Sequence, residues 1–190
     1  MTKKTKEVMG VHEFCEIRTD RLLLRLLKQG DALDIFEMRS NAEMILYTDS
    51  KLDETVEDTR KYLEGMNEGI AEGKWLIWAM EHKEKGEVIG TVSVWNYDWE
   101  GSKAELGFGV NPRFAHQGYM KEALIAVITF AFETMKFRTL EAYTEKGNLN
   151  SKRLLSSSSF HQVRQVSEPG YHSERLYVMD VYEITNRSLP

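Results

Sequence analysis

Within ELGFGVNPRFAHQGYM, residues 105–120, a strand-like stretch passes into a loop and then a helix, and each part brings groups that can do chemistry. Side chains alternate along KAELGFGV, so Glu105, Gly107 and Gly109 share one face and Leu106, Phe108 and Val110 the other. The paired glycines point to a bulge or a place where a ligand must come close. A carboxylate on that bare face can take a proton from an attacking amine, directly or through water. The competing reading of Glu105 is an exposed strand glutamate paired to Lys103 or another base. Pro112 has no N–H for a sheet ladder, which opens the sheet here. Residues 115–118 precede a helix without Ser, Thr, Asp or Asn, and only Gly118 is a moderate N-cap. The first helical amides are then left over, and with the roughly half-unit positive charge of a helix N-terminus they suit a phosphate or pyrophosphate. Water on those amides, with Gly118 making a tight turn, is the plainer alternative.

Other candidates are weaker. NLNS, residues 148–151, lies between a strand and a helix, and Ser151 or Asn150 as N-cap explains its composition; its place at a strand C-terminus, beside that of KAELGFGV, is what raises a functional role. Gly107, Gly109 and Pro112 make a poor dinucleotide fingerprint, since the glycines fall inside the strand. The five histidines show no metal-ligand spacing, so no metal is expected. No G-x-S-x-G elbow supports a hydrolase triad. Trp75, Trp78 and Trp95 read as core or sheet packing, while Tyr97 and Trp99 are candidate walls of a substrate pocket.

The elements that must position these groups read as one α/β domain with a mixed sheet. EIRTDRLLLRLL is a strand with Leu22, Leu24 and Leu26 inward and Arg21 and Arg25 opposite, ended by Gly30 and Asp31. Helices follow over DALDIFEMRSN and DETVEDTRKYLEGMNEGIAEG. WLIWAME and EVIGTVSVW form a hairpin around KEKG. KAELGFGV, the helix YMKEALIAVITFAFETM and the strand RTLEAYTE make a βαβ unit with parallel strands. A shorter helix starts at NLNSKRLL, and FHQVRQVSE pairs antiparallel with RLYVMDVYEI. Residues 1–14 read as a flexible N-terminal tail and 15–190 as a single domain.

Composition narrows the function classes. A chain of 190 residues with 42% hydrophobic content can bury one substantial core. The lone Cys15 rules out an intramolecular disulfide, and a reducing, cytoplasmic setting is expected. A net charge of −5 argues against nucleic acid and mildly favours a cationic or neutral substrate. No run approaches the roughly 20 apolar residues of a membrane span.

Taken together, these residues resemble the GNAT superfamily of acetyl-CoA-dependent N-acetyltransferases, in its RimJ/RimL-like branch, over roughly Ile17 to Ile184. TDRLLLR is similar to that branch's opening strand, AELGFGVNP to its central splayed strand, GYMKEAL to the end of its pyrophosphate loop, and NLNSKRLL to its Asn-x-x-Ser helix. The resemblance implies a sheet of about seven strands flanked by about four helices and splayed between its fourth and fifth strands. It implies that the backbone of Phe108, Gly109 and Val110 holds pantetheine, that the amides of His116, Gln117, Gly118, Tyr119 and Met120 hold the pyrophosphate, and that Asn148 reaches the pantetheine side. It also implies Glu105 as general base and Ser151 as the acid that protonates the departing thiolate, with Tyr177 and Tyr171 as lesser alternatives. The chain departs from the family pattern at Ala115, at His116, where a glycine is common, and at SSSSF in place of a charged helix end and Gly-Phe.

The expected activity is direct acetyl transfer from acetyl-CoA to a primary amine, either a protein N-terminus or a small amine. The alternative is a catalytically silent acyl-CoA sensor or interaction module. The segments near residues 40–55 and 96–102 are where the acceptor would be chosen. Exposed sheet edges and aromatics lead to the expectation of a homodimer.

Overall fold

The computed structural model describes residues 14–170, 172 and 174–186. Residues 1–13 of the expected tail lie outside that range, while Phe14 packs on Trp78 with ring centroids 5.6 Å apart. In chain order come β1 (Ile17–Arg18), β2 (Leu22–Arg25), α1 (Ala32–Arg39), α2 (Ala42–Ile45), α3 (Val56–Ala71), β3 (Leu76–His82), β4 (Val88–Asp98), β5 (Lys103–Val110), α4 (Tyr119–Glu133), β6 (Thr139–Glu145), α5 (Leu149–Ser157), β7 (His161–Pro169) and β8 (Leu176–Thr185). One mixed sheet has the order β1-β2-β3-β4-β5-β6-β8-β7. Among the pairings only β5–β6 is parallel, as the βαβ reading requires.

Helices cover both faces of the sheet. The apolar stripe of α4, including Ala123, Leu124, Val127 and Ala131, packs with Leu22, Leu24, Trp78, Met80 and Leu140 in one core. Ile35 and Met38 of α1 and Leu63 of α3 join Ile77 and Ala79 in a second core. β3 lies between the two, which explains why WLIWAM reads as a continuous apolar run rather than an alternating one. The alternation of KAELGFGV survives: Leu106 is buried, Phe108 and Val110 pack on the α4 side, and Glu105 is half-buried on the other face.

Three expectations change. EIRTDRLLLRLL is not one strand: Thr19 N–H donates to Leu22 O at 3.0 Å, closing a turn between β1 and β2. This two-residue strand and the four-residue α2 bring the totals among the described residues to eight strands and five α-helices, in line with about seven and about four. β2 then ends at Arg25, so Leu26, expected inward, is 38% exposed. Arg25, expected outward, is only 4% exposed. Its guanidinium forks onto both Asp31 oxygens at 2.8 Å and also contacts Glu81, so its charge is buried with partners.

Breaking one partner of such a pair strands the other charge. Asp31→Asn is expected to cost about 3–5 kcal/mol, read as a lower urea midpoint; an unchanged midpoint would show that the pair contributes nothing to stability.

One aromatic assignment changes. Trp99 stacks on Phe137 at 4.7 Å and Tyr97 lies 5.7 Å from the same ring, so both seal the edge of the core rather than wall a pocket. Trp95, read as core or sheet packing, is 44% exposed and lies on the sheet, its indole nitrogen 3.6 Å from where a Gly107 Cβ would be. The β4–β5 register is irregular between Trp95 and Asp98, just before Trp99.

Candidate functional site

β5 and β6 pair only at Lys103↔Thr139, Ala104↔Leu140 and Glu105↔Glu141. β6 then continues along β8 as far as Glu145↔Met179, and β5 along β4 as far as Gly90↔Val110. Beyond Glu105, therefore, β5 has no partner on its β6 side. Asn111 N–H donates to Ile89 O on β4 at 2.8 Å. Since successive strand residues aim their backbone groups at opposite edges, Phe108 and Val110 present theirs to the opening and Gly109 to β4. Gly109 instead contributes its missing side chain: a Cβ there would meet Met44 at 3.4 Å. The opening was expected at Pro112, but it begins at Glu105, several residues before that missing N–H. Pro112 instead follows the end of β4–β5 pairing and starts a 3-10 turn, Pro112–Phe114, capped by the Asn111 side chain.

At the far end of the opening lies the start of α4. Gly118 is its N-cap at φ 83°, with no side-chain cap. His116 also takes a positive φ of 60°, a conformation that costs a non-glycine residue about 1–2 kcal/mol. The loop thus adopts its left-handed turn despite the Cβ of His116. Among the described residues, no protein acceptor meets the amides of His116, Gln117, Gly118, Tyr119 or Met120, and His116, Gln117 and Gly118 are exposed. The Met120 side chain is buried in the core, which leaves its amide as the part able to face a ligand.

Arg21 was not singled out by the sequence and joins this end of the site. Its guanidinium donates to Gln117 O at 3.0 Å and to Glu122 at 2.6 Å, and lies 4.3 Å above the Tyr119 ring. Glu122 also accepts from Thr19 Oγ1 at 2.6 Å and Arg21 N–H at 2.8 Å. The β1–β2 turn is thereby tied to the first turn of α4, and a cation stands beside the free amides. Tyr119 Oη lies 3.0 Å from the Nε2 of buried His82.

Glu105 stands where the opening begins, bonded by the Asn96 amide. Burial raises its pKa, the Asn96 amide opposes this, the charges of Glu141 and Glu168 add to the rise, and Arg164 counters it. Glu141 is its cross-strand neighbour and is held down to about 2, chiefly by hydrogen bonds from Arg164. Arg164 grips both Glu141 oxygens at 3.0 and 2.9 Å, and Tyr143 donates to one of them at 2.9 Å. Burial first, and Glu141 next, push Tyr143 up to about 12, so it remains a neutral donor. Lys103 completes the group, 3.3 Å from Glu141 and 3.7 Å from Glu183. The result is one carboxylate with raised proton affinity beside another held in its ionised form by Arg164 and Tyr143.

Asn148 and Ser151 meet at the C-terminal end of β6. Asn148, rather than Asn150 or Ser151, is the N-cap of α5, its Oδ1 accepting from Ser151 N–H at 3.1 Å. The Nδ2 of Asn148 remains for other use. Among the described residues no hydrogen bond engages the Ser151 hydroxyl. Lys152 ties α5 to the buried Asp180 of β8. Tyr177 turns its hydroxyl toward Thr48 O and Asp49, 3.4 Å from each, while Tyr171 lies outside the described residues. Arg21, Asn96, Glu141 and Arg164 were missed by the sequence reading; only the parallel register could have placed Glu141 beside Glu105.

No group of three or more His, Cys, Asp or Glu side chains that could hold a metal occurs among the described residues, and no helix there is long and apolar enough to cross a membrane.

Residues 21–161 match the acetyltransferase (GNAT) domain family. The chain is 26% identical over 168 residues to the uncharacterized N-acetyltransferase YoaA of Bacillus subtilis (strain 168), covering 88% of this chain and 95% of that one. Its fold is similar to that of a GNAT-family acetyltransferase from Bacillus anthracis, with TM-score 0.79, 22% identity, and 90% and 98% of the two chains covered. It is also similar in fold to RimL, the ribosomal L7/L12 alpha-N-protein acetyltransferase, in complex with coenzyme A, with TM-score 0.78, 18% identity, and 90% and 98% covered.

Proposed function

This chain belongs to the GNAT acetyltransferase family, and from that premise we propose that it transfers an acetyl group from acetyl-CoA directly to a primary amine. The observation that carries the proposal is the continuity of one opening. It has Glu105 at its closed end, the unpaired β5 edge along its side, and the free amides of residues 116–120 at its mouth.

The donor fits this geometry. The backbone groups of Phe108 and Val110 hold the pantetheine arm as a strand would, Gly109 keeps the neighbouring face bare, and the Asn148 Nδ2 reaches in from α5. The amides of His116, Gln117, Gly118, Tyr119 and Met120 take the pyrophosphate, with the helix N-terminus favouring its charge. The bound donor supplies a thioester carbonyl, which the Phe108 amide polarises as negative charge develops on oxygen.

Glu105 removes a proton from the incoming ammonium, whose pKa near ~10 otherwise keeps it protonated at neutral pH. The amine nitrogen then bonds to the acetyl carbon as the C–S bond breaks. Ser151 gives its hydroxyl proton to the departing thiolate and takes in exchange the second proton, which the nitrogen sheds as it becomes an amide. No covalent enzyme intermediate is required. The resemblance to the RimJ/RimL-like branch and the likeness in fold to RimL support a protein N-terminus or a small molecule as the amine. The homodimer and the cytoplasmic setting stay part of the same proposal.

The test is thiol release from acetyl-CoA with a panel of amines and N-terminal peptides. Amine-dependent release is expected. Tight coenzyme A binding with no release by any amine would overturn the transfer reading and leave a silent binding module in its place.

A further inference from the structure

Trp95 lies on the sheet, yet packing does not consume it. Trp78 is fully buried and donates its indole N–H to Cys15 O at 2.8 Å, and Trp75 donates to Met66 O at 3.0 Å. Trp95 belongs to neither core. Among the described residues its indole N–H has no acceptor, and no cation or second ring lies on it.

Its place is nevertheless fixed beside the base. Trp95 is the direct cross-strand neighbour of Glu105, which puts their Cβ atoms about 4.5–5.5 Å apart on one face of the sheet. The indole leans diagonally over Gly107, where a Cβ would stand 3.6 Å from its nitrogen and 2.6 Å from Ser93 Oγ. The bare face of β5 therefore carries an exposed aromatic surface immediately beyond Glu105.

The backbone after Trp95 serves the same spot. Asn96 has φ 48°, a left-handed conformation that asparagine tolerates better than most non-glycine residues. In a regular strand its side chain would leave the face of Trp95. The irregularity after Trp95 turns its amide onto Glu105 instead. Two consecutive residues thus address the base, one holding the carboxylate and the other standing beside it, and rare backbone conformations of this kind cluster at reactive sites.

A carboxylate next to an exposed indole suits one chemistry. The negative face of a tryptophan ring attracts a cation within about 6 Å, and an alkylammonium with a pKa near ~10 is charged at neutral pH. We propose that Trp95 is an acceptor-binding residue whose indole holds the incoming alkylammonium beside Glu105, so that the site selects amines that are cationic at neutral pH. The inference rests on the acetyl-transfer reading and names a binding residue and substrate class for it. Because the attraction is to the cation and not to the neutral amine that attacks, it acts on ground-state binding and not on the chemical step.

The test uses probes of one shape and two charges. In coenzyme A-saturated protein with isotopically labelled tryptophan, choline is expected to shift the Trp95 indole N–H signal saturably, and its uncharged isostere 3,3-dimethyl-1-butanol to leave it in place. Trp95→Leu should weaken choline binding, measured by calorimetry, roughly fivefold or more. Trp95→Phe keeps a ring and should lose less. For the primary amine most active in the thiol-release panel, Trp95→Leu should raise KM while kcat does not fall. Equal shifts by choline and the alcohol would overturn the inference, and so would choline affinity and KM that ignore Trp95→Leu. A fall in kcat at unchanged KM would also overturn it, since the residue would then act on the chemical step. Saturable choline shifts without thiol release from any amine would instead leave the aromatic subsite standing and remove the transfer reading.

Discussion

Glu105→Gln is expected to lower kcat/KM at neutral pH by about 100-fold or more, the usual scale for loss of a general base, while the affinity for coenzyme A stays nearly unchanged. The pH profile carries the sharper content. A base works only when deprotonated, and burial together with Glu141 and Glu168 raises the Glu105 pKa above its ordinary value. Wild-type activity should therefore fall as pH drops through that raised value, and this acidic limb should vanish in the variant.

Glu141→Gln offers a matched control. It removes a like charge opposite Glu105 and leaves Arg164 with Glu183, 3.2 Å away, as its remaining carboxylate partner. Both changes favour the ionised form of Glu105, so the acidic limb should move to lower pH. A Glu105→Gln enzyme as active as wild type at every pH would remove Glu105 from the mechanism.

Gly118→Pro is the second large effect, and it acts on the donor. Gly118 sits at φ 83°, whereas proline is locked near about −65°, so the turn that presents the amides cannot form as observed. Coenzyme A affinity is expected to fall about 100-fold, equivalent to roughly 2.7 kcal/mol, with far-UV circular dichroism confirming that α4 persists. Gly118→Ala keeps the left-handed turn at a cost of about 1–2 kcal/mol and should lose less. Coenzyme A binding that is indifferent to the proline would mean that the diphosphate lies elsewhere.

Much of the site was legible because its signals are local. Alternation put Glu105, Gly107 and Gly109 on one face, and the structure keeps them there, with Gly107 beneath Trp95 and Gly109 beneath Met44. The missing cap before Tyr119 was visible as an absence of Ser, Thr, Asp and Asn, and Gly118 does cap α4 without a side chain. Errors arose where local rules met distant partners. Arg25 reads as a solvent-facing strand residue until Asp31 and Glu81 are folded against it. Tyr97 and Trp99 read as pocket walls until Phe137, distant in the chain, is packed against them.

The sequence by itself determined the order of the elements, the bare face of β5 and the uncapped start of α4, since hydrophobic period, glycine and capping chemistry act within a few residues. Only the tertiary structure decided that β5 and β6 part after Glu105, that Glu141, held by Arg164, lies beside Glu105, and that Arg21 reaches the mouth of the opening. These contacts join residues separated by 23 to 101 positions in the chain. Strand register and sheet closure set such contacts, and a composition rule does not encode them.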